Sequence, residues 1–249
     1  MVGHVTAPVA ALLDALPPWA TLIRAPNPGP MTLDGTNTWL LRATGGRPAV
    51  VVDPGPLDEG HLRAVAAAGP VEAILITHGH FDHTEGVPRL VELTGAPVLD
   101  FDGTFETAGL SIRAIDTPGH TRDSVCYVVN EDAVLSGDTI LGRGTTIVAW
   151  PDGDLGSYLT SLDELERLGP IPVLPGHGPA LADCAAASGY YKAHREARLE
   201  QVSAAVSGGA VEAMDVVRIV YADVDEALWP AAEATVRAQL AYLKDREKT

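Results

Sequence analysis

Three imidazoles and a carboxylate fall within six residues of the run Thr77-His78-Gly79-His80-Phe81-Asp82-His83. Neutral imidazole and carboxylate are ligands for zinc, iron or manganese, and no thiolate lies nearby to select a softer site. Three further segments present one such group each, every one beside a glycine that lets backbone come close. They are Pro118-Gly119-His120, Ser136-Gly137-Asp138-Thr139 and Pro175-Gly176-His177. Five of the eight histidines sit in these four segments, which is too concentrated for a His-rich surface turn.

The elements around these segments predict where they point. Residues 71–76, 110–115, 133–135 and 171–174 are short apolar runs that read as buried strands. Each is followed by one of the polar segments, and α/β folds collect ligands beyond the carboxyl ends of their strands. The cluster at 77–83 is therefore expected on a loop, with a helix starting near Thr84. Further strands are predicted at 21–24, 37–42, 49–53, 97–99 and 124–129, with helices at 57–69 and 156–168. This alternation of strand and helix signals an α/β layered domain. Asp53 also ends a strand; it either orients a ligand imidazole from behind or forms a turn. The Pro/Gly-rich stretch 27–36 either reaches over the site or is a plain connection.

With 249 residues, the chain can bury a full core as one large domain or a domain with an appendage. Apolar content of 46% with 20% charged residues fits a soluble globular protein. Residues 1–4 lack the basic start of a secretory signal, which predicts a cytoplasmic location and no membrane partner. Cys126 and Cys184 do not make a disulfide framework, and Cys126 reads as a small core residue. A net charge of −16 argues against non-specific attraction to nucleic acid. From residue 180 onward eight Lys/Arg face eleven Asp/Glu, so that part carries −3 and the first 179 residues −13. A pair of divalent cations would offset roughly four of those charges.

Taken together and in this order, His-x-His-x-Asp-His at 78–83, Gly119-His120, Gly137-Asp138 and Gly176-His177 resemble the metallo-β-lactamase superfamily of dinuclear hydrolases. The resemblance implies an α/β fold, a four-layer αβ/βα sandwich with metals held at one edge. It implies that His78, His80 and His120 hold one cation, Asp82, His83 and His177 the second, and that Asp138 bridges them. Asp82 and Asp138 are the implied catalytic carboxylates. Zinc is the expected metal, with iron or manganese as alternatives. His80 stands where oxygen-reducing diiron relatives carry a carboxylate, and Asp138 is lacking in true β-lactamases of this fold.

Most of the chain resembles, more narrowly, the β-lactamase-like protein 2 group. The marks are Asn27-Pro28, Gly35-Thr36-Asn37-Thr38, the run Gly137 to Gly142, Gly144-Thr145-Thr146, Tyr158-Leu159, Ser161-Leu162, Ala193-His194-Arg195 and the run Arg198 to Gln201. That resemblance implies a hydrolase domain at 1–179 and a small all-helical, winged-helix-like domain at 180–249. Helices are predicted at 186–207, 211–221 and 226–244, the last with an apolar stripe of Leu228, Ala232, Val236, Leu240 and Leu243. With the sequence ending at Thr249, no β-hairpin wing is expected after the last helix. Lys192, His194, Arg195 and Arg198 either face the site mouth or form a solvated helix face.

The expected reaction is hydrolysis by a metal-bridging hydroxide, formed because the cations bring a water's pKa down to about 7. The group's described members imply cleavage of phosphodiesters in single-stranded RNA. Hydrolysis of small acyl esters or thioesters, in the manner of glyoxalase II relatives, suits the same ligands. A third reading, a binding protein with a vestigial site, conflicts with every ligand position being filled. A homodimer interface at the tail, or at the segments carrying Trp39 and Trp150, is a further candidate.

Overall fold

The computed structural model describes residues 11–43, 45, 48–107 and 109–246. Residues 1–4, which carry the reading of no secretory signal, lie outside the described residues, as do 247–249. Two sheets form the centre. The first runs in spatial order β1 (Ala20–Arg24), β2 (Asn37–Leu41), β3 (Ala49–Val52) and β4 (Val71–Leu75). The second runs β5 (Thr104–Thr107), β6 (Leu110–Asp116), β7 (Val125–Val129), β8 (Ala133–Gly137) and β9 (Val173–Pro175). Pairings are antiparallel except for β3 with β4 and β8 with β9, the two pairs joined through helices.

Alternation along the strands dictates the layers. Val50 and Val52 of β3 face inward with Leu75, Tyr127, Val129 and Leu135, filling the space between the sheets. Ala49 and Val51 face the other way, onto Leu62 and Val65 of α1 (Glu59–Ala67) and Leu90 of α3 (Val87–Thr94). The second sheet repeats the scheme. Cys126, Val128, Val134 and Val173 face α4 (Leu155–Glu166) and the first half of α5 (Cys184–Ser207), where Tyr158, Leu162, Ala187 and Tyr191 meet them. Helix, sheet, sheet and helix make the four expected layers. Aspartates start three of these helices: Asp58, Asp154 and Asp183 accept from His61 N at 2.7 Å, Ser157 N at 2.7 Å and Ala186 N at 2.9 Å.

The second half of α5 packs with α6 (Ala213–Val220) and α7 (Trp229–Arg246) around Val202, Val216, Val217, Ala232 and Val236. A capping box between Glu212 and Asp215 opens α6. Of the predicted stripe on α7, Ala232 and Val236 are buried and Leu240 and Leu243 pack partly, whereas Leu228 is 37% exposed in a 3-10 turn before the helix.

Four expectations change. The strand at 97–99 is only an isolated bridge, Val98 beside Ile74. β5 has no counterpart among the predicted strands, because Thr-Phe-Glu-Thr offers a single large apolar side chain at a sheet edge. The helix after the histidine run starts earlier than Thr84: α2 (Phe81–Thr84) closes when His83 N and Thr84 N donate to the His80 carbonyl. Asp82 and His83 therefore sit on a helical turn, not a loop. Trp39 is buried, with its indole N–H donating to Pro175 O at 3.0 Å, so it belongs to the core and not to a dimer surface. No helix among the described residues is long and apolar enough to cross a membrane.

Candidate metal centre

Four strand ends from both sheets converge with α2. His78 follows β4, His120 follows β6 and a Pro-Gly turn, Asp138 follows β8 directly, and His177 follows β9. All seven sequence-predicted site residues meet here. His78 Nε2 and His120 Nε2 lie 2.9 and 3.1 Å from His80 Nδ1. On the other side His177 Nε2 lies 3.2 Å from His83 Nε2 and 3.1 Å from Asp82 Oδ2. Asp138 stands between the two trios, 3.4 Å from His177, 3.5 Å from His83 and 3.7 Å from His120.

The imidazoles are aimed from behind. His83 Nδ1 pairs with Asp53 Oδ2 at 2.8 Å, and Asp53 also accepts from Thr77 N and the Thr77 hydroxyl. Since that hydroxyl gives its proton to Asp53, it is left to accept from His78 Nδ1, 3.0 Å away. His120 Nδ1 lies 2.6 Å from Ile147 O, and His177 Nδ1 lies 3.4 Å from Gly35 O. Donation through Nδ1 leaves the Nε2 lone pairs of His78 and His120 facing inward, the arrangement a cation needs, and would do the same at His83 and His177 once their second protons leave. Of its two alternatives, Asp53 takes the orienting one. The 27–36 stretch contributes too: Thr36 Oγ1 reaches Asp82 Oδ2 at 3.3 Å, and Asn27 holds Thr36 by two hydrogen bonds.

Two glycines are fixed by close approach. A Cβ on Gly176 would lie 2.5 Å from Asp138 Oδ1 and 2.8 Å from His83 Cε1. Gly119 has φ of 145° and would drive a Cβ to 2.4 Å from the Tyr158 backbone.

The donor set fits divalent cations. Nitrogens of different imidazoles approach to about hydrogen-bond distance. Asp138 Oδ1 is buried and receives no hydrogen bond. Three trios bring their ligand atoms within 4.8 Å of one another: His78, His80 and His120; His78, His83 and Asp138; and Asp82, His83 and His177. Burial, aided by neighbouring His83, holds the His78 imidazole down at about 2, so it is neutral and ready to ligate. Burial alone would raise Asp138, but His83 and His177 hold it well below the usual carboxylate range. Burial likewise opposes charge on His177, and Asp138 and Asp82 override it, lifting that imidazole to about 10. A proton there does the work a cation would do, and cation binding would release it.

The residues that sequence reasoning missed are Thr77, Thr36, Thr146 and the Ile147 carbonyl. Thr77 carried a signal, its place between strand and first histidine; a backbone carbonyl carries none. The basic residues of α5 are engaged within the fold or in ion pairs, Lys192 at the surface and Arg195 inside. Lys192 pairs with Asp163; Arg198 donates to Val220 O at 2.8 Å and lies 4.7 Å from the Tyr221 ring. Arg195 is buried.

Residues 31–99 and 95–177 match the family model described as the metallo-beta-lactamase superfamily, and residues 213–249 match the beta-lactamase associated winged helix domain. A beta-lactamase-like protein 2 homolog from Drosophila melanogaster is 34% identical, over 89% of this chain and 86% of its own. An atrochrysone carboxyl ACP thioesterase from Aspergillus chevalieri is also 34% identical, over 86% of this chain and 77% of its own. In architecture the chain is similar to a metallo-beta-lactamase family protein from Thermus thermophilus, with a TM-score of 0.79 at 24% identity, covering 94% of this chain and 95% of that one.

Proposed function

The chain belongs to the metallo-beta-lactamase superfamily, and from that premise we propose a hydrolase whose clustered donors hold two divalent cations and whose substrate is a small acyl thioester. His78, His80 and His120 would hold one cation, Asp82, His83 and His177 the other, with Asp138 shared. Zinc suits these nitrogen and oxygen donors, as do iron and manganese. When bound, the cation pair lowers the pKa of an attacking water toward neutrality and polarises the scissile carbonyl. Asp82 is the more open of the two carboxylates, its side chain 30% exposed against 10% for Asp138. With one oxygen engaged by Thr36, it orients the attacking water with the other and receives its proton. Residues 1–179 would form the hydrolase unit and 180–249 the helical one, with α5 as their shared element.

The observation that carries the substrate class is the lining of the cavity beside His80. This space of about 320 Å³ is bounded by Gly79, His80, Thr121, Arg122, Asp123 and Asp152. With two carboxylates against one guanidinium, this lining offers a polyanionic backbone no basic track, and the cations of α5 are already committed elsewhere. An uncharged acyl group needs no such track. The similar thioesterase from Aspergillus chevalieri supports the same bond. A second reading, phosphodiester cleavage in single-stranded RNA, is supported by the resemblance of nearly the whole chain to the β-lactamase-like protein 2 group.

Both substrates belong in one assay. Zinc-loaded protein is given an uncharged acyl thioester of N-acetylcysteamine, with thiol release followed colorimetrically, and in parallel a labelled single-stranded RNA. Thiol release lost in Asp138→Ala, with the RNA left whole, is the expected result. RNA scission with the thioester untouched would replace the first reading by the second. His120→Ala retaining full activity would remove catalysis from this centre altogether.

A further inference from the structure

Arg195 lies on α5 between the two family matches, which end at residue 177 and resume at 213. It is 3% exposed, and no carboxylate among the described residues pairs with it. Burying a guanidinium without a counter-charge costs free energy, so its remaining contacts are informative. Two stand out. The guanidinium carbon lies 5.4 Å from the centre of the Tyr158 ring, and one terminal nitrogen donates to the carbonyl oxygen of Thr146. Its Nε finds no partner.

The next peptide along from that carbonyl is what His120 depends on. Ile147 O accepts from His120 Nδ1 at 2.6 Å, and the Thr146 hydroxyl lies 3.1 Å from the same nitrogen. Residues 143–148 form neither helix nor strand, so nothing regular fixes this carbonyl. Arg195 clamps the carbonyl before it, Thr146 O, from one side. On the same helix, Tyr191 OH receives Leu141 N at 2.8 Å, and on α4 Tyr158 OH donates to Thr139 O at 2.7 Å. The Tyr158 backbone also abuts Gly119, the residue before His120. The ring that stacks on Arg195 thus belongs to the residue packed behind the ligand.

We propose that Arg195 is a positioning residue for the His78, His80 and His120 half of the centre. It fixes the Thr146–Ile147 peptide and so steadies the adjoining Ile147 carbonyl, which holds the tautomer and direction of His120. The helix outside both family matches thereby tunes one of two cations and not the other. His83 and His177 take their outer partners from Asp53 and Gly35, which Arg195 does not touch. The inference rests on the reading of these imidazoles as cation ligands.

The test is stepwise cobalt binding to the full chain, measured by chelator competition and visible absorption, with folding followed by circular dichroism and melting. Wild type is expected to take up two equivalents. Arg195→Met keeps the length and apolar stem but has no donor. One step should weaken roughly 10- to 100-fold, the usual loss when a ligand's outer partner goes. The absorption lost should match that lost in His120→Ala, and the second step should be unchanged. Arg195→Lys, which keeps one donor in a form that folds more readily, should weaken the same step by less. Unchanged constants in a variant whose melting point alone falls would reduce Arg195 to a packing residue and overturn the proposal. Equal weakening of both steps would overturn it too. Absence of cobalt uptake by wild type would instead bring down the metal reading, and this inference with it.

Discussion

Asp53 shows how much a single carboxylate outside the donor set can govern. Its two oxygens receive Thr77 N, the Thr77 hydroxyl and His83 Nδ1, so it directs His83 itself and His78 through Thr77. It does so with φ of 53°, a conformation that asparagine tolerates as well. Asp53→Asn therefore leaves the backbone unstrained and changes only the hydrogen bonds. An amide group facing His83 Nδ1 forces that nitrogen to accept, which moves the ring proton to Nε2, where a cation needs the lone pair. The expected loss is roughly 10- to 100-fold in affinity at the His83 cation, read by chelator competition with a small change in melting point. An unchanged affinity would make Asp53 a turn residue. The sequence placed Asp53 at a strand end and left orienting and turn-forming roles both open. Its partners stand 24 and 30 residues away, and only the pairing of β3 with β4 brings them together.

Helix α5 is the element whose existence was legible and whose role was not. The Gly208-Gly209 stop marks a helix at 186–207, but basic side chains on it read equally as substrate-facing or solvated. The choice depends on what α4 and the 143–148 segment put opposite, which no local pattern encodes. His194 on this helix gives a measurable consequence. Burial, with Arg195 and Arg198 nearby, holds its imidazole down at about 4, and its Nε2 lies 3.5 Å from Thr145 Oγ1. An imidazole harder to protonate in the folded chain than in the unfolded one favours folding above the unfolded value near 6.5. That contribution is lost as pH falls from there toward 4. His194 is partly exposed, which screens the effect to roughly 1 kcal/mol. In chelator, wild type should lose more stability than His194→Asn between pH 7 and pH 4.5, by that amount. Parallel denaturation midpoints across the range would refute it.

At the scale of the whole molecule, the sandwich exists to bring the rims of two sheets to one place. Valine-rich alternation made the layers legible: residues 49–52 and 125–129 each send one set of side chains between the sheets and the other under helices. The meeting of both rims at seven polar side chains follows from that packing and from glycines that admit close backbone approach. Such a centre concentrates unfavourable contacts when it is empty. Asp138 keeps a buried oxygen without a donor, and inward-facing nitrogens crowd to about 3 Å. Cations that bind the folded chain alone relieve this and add stability as RT ln(1 + [M]/Kd), about 4 kcal/mol per site at a thousandfold excess over Kd. For a chain of this size, each kcal/mol is worth about 2–4 °C. Removing metal with a chelator should thus lower the melting temperature by roughly 10 °C or more and abolish hydrolysis, with both restored by zinc. Asp138→Ala relieves the orphaned oxygen as well as removing a ligand, so its melting point should respond much less to chelator. A wild-type melting curve that chelator leaves in place would mean the donors hold no metal and that the His177 proton alone balances the carboxylates.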